Sequence, residues 1–274
     1  NSSTADSEDS LLKRIAEEHD ACTERRRNQE RELVWRHDLP RISFTNEEVY
    51  LTNQEYVVEI LRISVIESWK LLVAVFPSIG KWKTHDQCVF FRMCVPQFVL
   101  IDCLCRTRNI FCGSTKYAMC SVLACTDLES PKSLIGEDEG VPNREPLNES
   151  IRSYHQAQKA LMTSFEKLDI SQTQMYAFLA LLLHHILVAD SGNEEFTEHF
   201  QLFLGEIQCQ IRGKLRRFYT KEMKMTDYSD RLENLLSLCH TLNESLALFP
   251  EYVRMHITIF DDFVTETLMN GLLF

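Results

Sequence analysis

Arg106 closes the most apolar long stretch of the chain. From Cys88 to Arg106 the only other polar residues are Arg92, Gln97 and Asp102. A helix over 85–107 therefore has no broad solvent face and belongs in a core on most of its sides. A guanidinium in that setting has two uses. It can grip the carboxylate of a small molecule through a bidentate fork, or it can anchor a cap or loop through a structural salt bridge. Left unpaired there it would be costly. This is chemistry for holding something rather than for making or breaking bonds. The chain has no His-Glu-x-x-His, no Gly-x-Ser-x-Gly and no phosphate loop. The adjacent His184 and His185 would project about 100° apart on a helix and could not readily share a metal. No catalytic residues, no cofactor and no enzyme activity are expected.

The rest of the composition agrees with a binding role. The 274 residues carry a formal net charge of -11, which argues against this chain gripping DNA by itself. Of the 10 cysteines none stands in a Cys-x-x-Cys pair. Cys88, Cys94, Cys103, Cys105 and Cys120 have apolar neighbours, and are read as reduced, small core residues in a reducing compartment rather than as disulfides or zinc ligands. The longest apolar run, 175–189, falls short of the roughly 20 residues that span a bilayer, so no membrane contact is expected. Residues 1–10 are polar and acidic, without the apolar stretch of a secretory signal. The basic runs 25–27 and 214–217 are short and read as solvated helix faces.

Helices must supply the framework, because 8 Gly and 7 Pro leave little material for a turn-rich all-β fold. Leu11, Leu12, Ile15, His19 and Cys22 give helical spacing up to Glu24. Residues 36–52 read as an irregular connection. Longer helices are expected over about 53–76, 85–107, 147–168, 172–189, 193–222 and 227–249, the last ended by Pro250. Pro96 should kink or divide the second of these. Capping boxes of the Ser/Thr-x-x-Glu/Gln form recur at Thr84/Gln87, Thr45/Glu48, Thr52/Glu55, Ser171/Gln174 and Ser191/Glu194. The Gly-Ser turn in 109–117 predicts a small hairpin. Residues 126–146, with three Pro and two Gly, read as a surface loop.

The spacing Phe76-Pro77, Trp82, Asp86-Gln87 ahead of a buried helix resembles the ligand-binding domain of the nuclear hormone receptors. Leu168-Asp169-Ile170-Ser171 resembles the start of that family's eighth helix. Phe263-Val264-Thr265-Glu266-Thr267-Leu268 resembles its activation helix, with Leu268 to Leu273 as a second register. The style of the whole is similar to the lineage-expanded nematode receptors related to the hepatocyte nuclear factor four group. The resemblance covers roughly 9–268, with 1–8 as a disordered hinge remnant and 269–274 as a C-terminal extension. It implies an all-α, three-layer antiparallel sandwich of about eleven to twelve helices with a small β-hairpin. It further implies a ligand-regulated transcription factor in the nucleus, touching DNA only through a domain absent from this chain. The alternative is a ligand-independent module with a filled pocket, which dimerises or binds corepressors.

The same resemblance assigns residues to sites. A ligand pocket would be lined by Val58, Leu61, Arg62 and Val65, by Val95, Pro96, Val99, Cys103 and Arg106, and by Lys116 and Tyr117. Its ligand would be fatty-acid-like or steroidal. Equally, the first stripe can be ordinary core, and Arg62 can either partner an acid or fill the cavity. A coregulator groove for Leu-x-x-Leu-Leu-like helices of coactivators or corepressors would use Phe263, Glu266 and Arg92. The family's clamp lysine falls on Ala74 here, and Lys70 lies one turn away. Leu232, Leu235 and Leu236 would face a homodimer or receptor-heterodimer partner, or else the chain's own core.

Overall fold

The computed structural model describes residues 10–43, 45–130, 144–167, 174–176 and 198–247. Among these residues the architecture is α-helical with one small sheet. Helix α1 spans Ser10–Arg36, twelve residues beyond the expected end at Glu24. The reason lies in its buried stripe. Leu11, Ile15, His19, Cys22, Arg26, Glu30 and Leu33 are all buried, at the spacing of one helix face. The periodicity continues while the residue type turns from apolar to charged, so a search for apolar spacing stops too early. The arginine run read as a solvated face therefore has Arg26 in the interior, at 1% exposure.

Helix α2 spans Gln54–Val75. Its cap is Asn53, whose Oδ1 accepts from the Tyr56 amide at 2.9 Å. Thr52, the expected cap, instead donates its hydroxyl to the Asn53 carbonyl. Thr45 accepts from the Glu47 amide in a local turn and starts no helix. After α2 come Pro77, which cannot continue the helical ladder, and a 3₁₀ turn at Ile79–Lys81.

Helix α3 spans Thr84–Phe111 as one element that Pro96 does not divide. Its cap is Lys83 through the backbone, without a side-chain bond, so the Thr84 box is not formed. The Gln87 amide instead donates back to the Trp82 carbonyl at 2.9 Å. α3 is long and apolar enough to cross a membrane, and three quarters of its most apolar window is buried inside the protein. A core position accounts for that composition. Cys112 and Gly113, at φ 34 and 85, end the helix in the left-handed region.

The strands are β1 (Tyr50–Leu51), β2 (Tyr117–Met119) and β3 (Ala124–Asp127), in the order β1-β3-β2. β1 runs parallel to β3, and β2 antiparallel to it. The hairpin is present but displaced from 109–117. Residues 109–111 stay helical, Cys112 caps α3 with Gly113 just after it, and the chain reverses over residues 120–123, which carry no Gly or Asn signal. Ser121 Oγ, accepting from the Ala124 amide, supplies the turn instead.

Helices α4 (Arg144–Lys167), α5 (Glu198–Arg217) and α6 (Ser229–Ala247) follow. A π-helical turn, Phe218–Glu222, continues α5. One large core joins α1, α2, α3, α4, α5 and α6. The helix expected at 172–189 is described only at 174–176. The boxes at Ser171 and Ser191, most of the loop 126–146, Pro250 and both registers of the final helix lie outside the described residues.

Candidate functional site

Arg106 does not stand alone at the end of its helix. One turn earlier on α3, Asp102 is fully enclosed and gathers three partners. Arg106 approaches it through Nε and Nη2, each at 3.0 Å. Arg26 of α1 donates from Nη1 at 2.6 Å. His19 Nε2, also of α1, lies 2.9 Å away. Arg106 donates further to Thr23 Oγ1 at 2.8 Å, and Arg26 to Ser64 Oγ of α2 at 3.0 Å. Burial alone would raise the Asp102 carboxyl. The Arg106 and Arg26 charges and the His19 hydrogen bond outweigh that and hold it well below the usual carboxylate range.

Glu30 extends this seam to the hairpin. Its carboxylate accepts from the Leu123 amide at 2.8 Å and the Val122 amide at 3.3 Å, and sits 3.6 Å from Arg26 Nε. Burial pushes its carboxyl up, against the lowering pull of Arg26 and of those amides. Two guanidiniums thus face two carboxylates in the interior. Nearby, the buried Glu67 accepts from Arg25 at 2.6 Å, Lys70 at 2.7 Å and Gln29 at 3.3 Å. Although burial pushes that carboxyl up, these donors hold it below its ordinary value.

The other end of α3 is joined by aromatic rings. Trp82 meets Phe90 edge-on at 5.5 Å and Phe203 of α5 at 4.9 Å. Phe76, at the end of α2, meets Phe203 at 5.7 Å. Such pairs add about 0.5–1.5 kcal/mol beyond the area they bury. The Phe76, Trp82 and Gln87 of the sequence signature are thereby the parts of one joint.

The pocket residues named from the sequence fall into three surroundings. Val65, Val95 and Cys103 are buried, and Leu61, Pro96, Val99 and Arg106 are partly buried. Arg62 is exposed. Lys116 is exposed over the ring of Tyr117, 5.0 Å from its centre. Val58 lies on α2, and Arg92 on α3, in helical backbone. In the groove, Lys70 is exposed and bonded to Glu67, while Ala74 is partly buried. Phe263 and Glu266 lie outside the described residues. On α6, Leu235 is 1% exposed and packs in the chain's own core, with Leu232 and Leu236 partly buried beside it.

Sequence reasoning missed His19, Arg26 and Glu30. One signal could have found them: Asp102 is the lone acid between Cys88 and Phe111 of an apolar helix, and a buried carboxylate needs cations from elsewhere in the chain. The nine cysteines whose side chains are described are free thiols. Burial pushes the Cys22 thiol up to about 11 and the Cys125 thiol up to about 12, so both stay protonated and inert at neutral pH.

Residues 43–255 match the family model for the ligand-binding domain of nuclear hormone receptor. No curated protein matches the chain.

Proposed function

The chain belongs to the nuclear hormone receptor ligand-binding domains, and on that premise we propose that it recruits coregulators through its last helix when a fatty-acid-like or steroidal molecule fills its interior. At the family level it is a ligand-regulated transcription factor domain. What supports the reading most is the joint between α2 and α3. Phe76, Trp82 and Gln87 pack as a unit inside the matched span, and they set α3 across the centre of the fold. The proposed ligand would bias the docked state of the final helix by binding it better than the undocked one. The reading also includes a nuclear location, a homodimer or receptor-heterodimer partner, and kinship with the nematode receptors related to the hepatocyte nuclear factor four group.

One observation favours the second reading, a ligand-independent module that dimerises or binds corepressors. Arg106 is already held by Asp102 and Thr23, and Arg62 is exposed, so neither cation is presented in isolation to an acidic ligand. Native mass spectrometry of the purified domain separates the two. Release of a stoichiometric lipid supports the ligand-regulated reading, and a protein of bare mass supports the filled one. For the groove, Ala74→Lys should strengthen binding of a Leu-x-x-Leu-Leu peptide several-fold, and Glu266→Ala should weaken it. Each clamp charge acts on one end of the peptide's helix dipole and is worth about 0.3–1 kcal/mol. Fluorescence polarisation with both variants unchanged would rule out this register of the last helix.

A further inference from the structure

The end of α5 and the π-turn after it carry a run of basic residues. Residues 212–224 hold Arg212, Lys214, Arg216, Arg217, Lys221 and Lys224 against the single acid Glu222, in a chain whose net charge is -11. Lys214 is buried, but Arg216, Lys221 and Lys224 are exposed and form no ion pair among the described residues. Arg216 and Lys221 are separated by little more than one helical turn, and Lys224 follows at once in a left-handed residue at φ 52. Between Lys221 and Lys224 the chain exposes Met223 at 36%, one of the few large apolar side chains shown to solvent among the described residues. Beyond the strip, Asp227 is engaged at the start of α6 by the Ser229 amide.

We propose that this strip docks an acidic peptide segment of a partner protein, one that carries an apolar side chain for Met223. Three arguments choose this occupant. The cations are local, and screening confines their attraction to about 8 Å at physiological salt, which suits a short segment. A duplex would also meet the repulsion of the strongly acidic remainder of the chain. Finally, Met223 offers a flexible, polarisable apolar contact, for which a phosphate backbone has no counterpart. The surface needs no small-molecule ligand, so it stands or falls separately from the function proposed above.

The test uses the whole domain and fluorescence anisotropy. The probes are a short labelled peptide of Glu and Asp with one central Leu, the same peptide with Ser in place of Leu, and a labelled duplex DNA. The expected result is binding of the Leu peptide that weakens with salt and falls on the order of ten-fold in the double variant Lys221→Glu with Lys224→Glu, two exposed charge contacts being replaced by repulsion. Met223→Ser should reduce it several-fold, as should Ser in the peptide. Absence of peptide binding overturns the proposal. So does binding that the charge reversal leaves unchanged, equal affinity for the two peptides, or tighter binding of the duplex that the same charge reversal removes. Both substituted lysines are exposed, so unchanged melting of the double variant should accompany the loss.

Discussion

The two ends of α3 are fastened by opposite chemistry. Its start is clasped by rings, with Trp82, Phe90 and Phe203 edge to face. Its end is clasped by charge, with Asp102 and Arg106 meeting Arg26 and His19 of α1. Rings hold by area, and their energy changes gradually as they shift. An enclosed ion cluster has one correct geometry, because every displaced donor leaves an uncompensated charge. The aromatic end can thus tolerate adjustment, whereas the ionic end fixes the position of α1 against α2 and α3.

The largest expected effects come from breaking each end. Asp102→Ala removes the acceptor of one enclosed guanidinium, Arg26, and one partly buried, Arg106, and should cost about 3–5 kcal/mol of stability. Phe90→Ala, at a fully buried ring, should cost about 3–5 kcal/mol as well. Urea denaturation would give the two totals. The comparison is sharpened by replacing the charges together: a domain with Arg26, Asp102 and Arg106 exchanged for apolar residues of similar volume, and Glu30 for Gln so that no buried carboxylate is left without its cation, should lose far less than Asp102→Ala does. If this combined replacement is as damaging as the single one, the cluster contributes favourable energy in its own right rather than a geometric constraint.

Acid should distinguish the ends next. Asp102 has a folded-state pKa held well below that of the unfolded chain. Its contribution is therefore fully present above the unfolded value of about 3.9 and is lost as the pH falls from there towards the folded value. Glu67, also depressed, acts in the same direction. Stability of the wild-type domain should drop below about pH 4, and Phe90→Ala should drop in parallel with it. Asp102→Asn should start lower and respond less to acid. An identical acid slope in Asp102→Asn would mean that the carboxylate does not carry this dependence.

The same contrast explains what the sequence could disclose. Phe76, Trp82 and Gln87 are local: their spacing lies within one turn and two helix ends, and the joint they build was legible as a motif before any contact was known. The helical class and most helix positions were legible from apolar spacing. Arg26 was not, because it reaches Asp102 across 76 residues and looks from its neighbours Arg25 and Arg27 like one more surface cation. Arg106 stands out in the sequence as the close of an apolar helix, and the acid that engages it is only one turn away. The hairpin was misplaced for a related reason. Its turn relies on Ser121 and on two amides bonded to Glu30 of a distant helix, and neither signal is local composition.

The smallest effect concerns α2, the helix that touches both ends, and tests whether a local change leaves the comparison intact. Its N-cap is Asn53, which satisfies the Tyr56 amide, while Thr52 serves only the Asn53 carbonyl. Asn53→Ala should cost about 1 kcal/mol. Thr52→Ser, which keeps the hydroxyl, should cost less. The 22 residues of α2 span about 33 Å at 1.5 Å per residue, so the cap is remote from the rings at the far end. Asn53→Ala and Phe90→Ala should therefore add to within about 0.5 kcal/mol. A thermal or urea double-mutant cycle measures this directly. A coupling well above that limit would mean that α2 transmits strain along its length, and the two fastenings of α3 could then no longer be treated as independent.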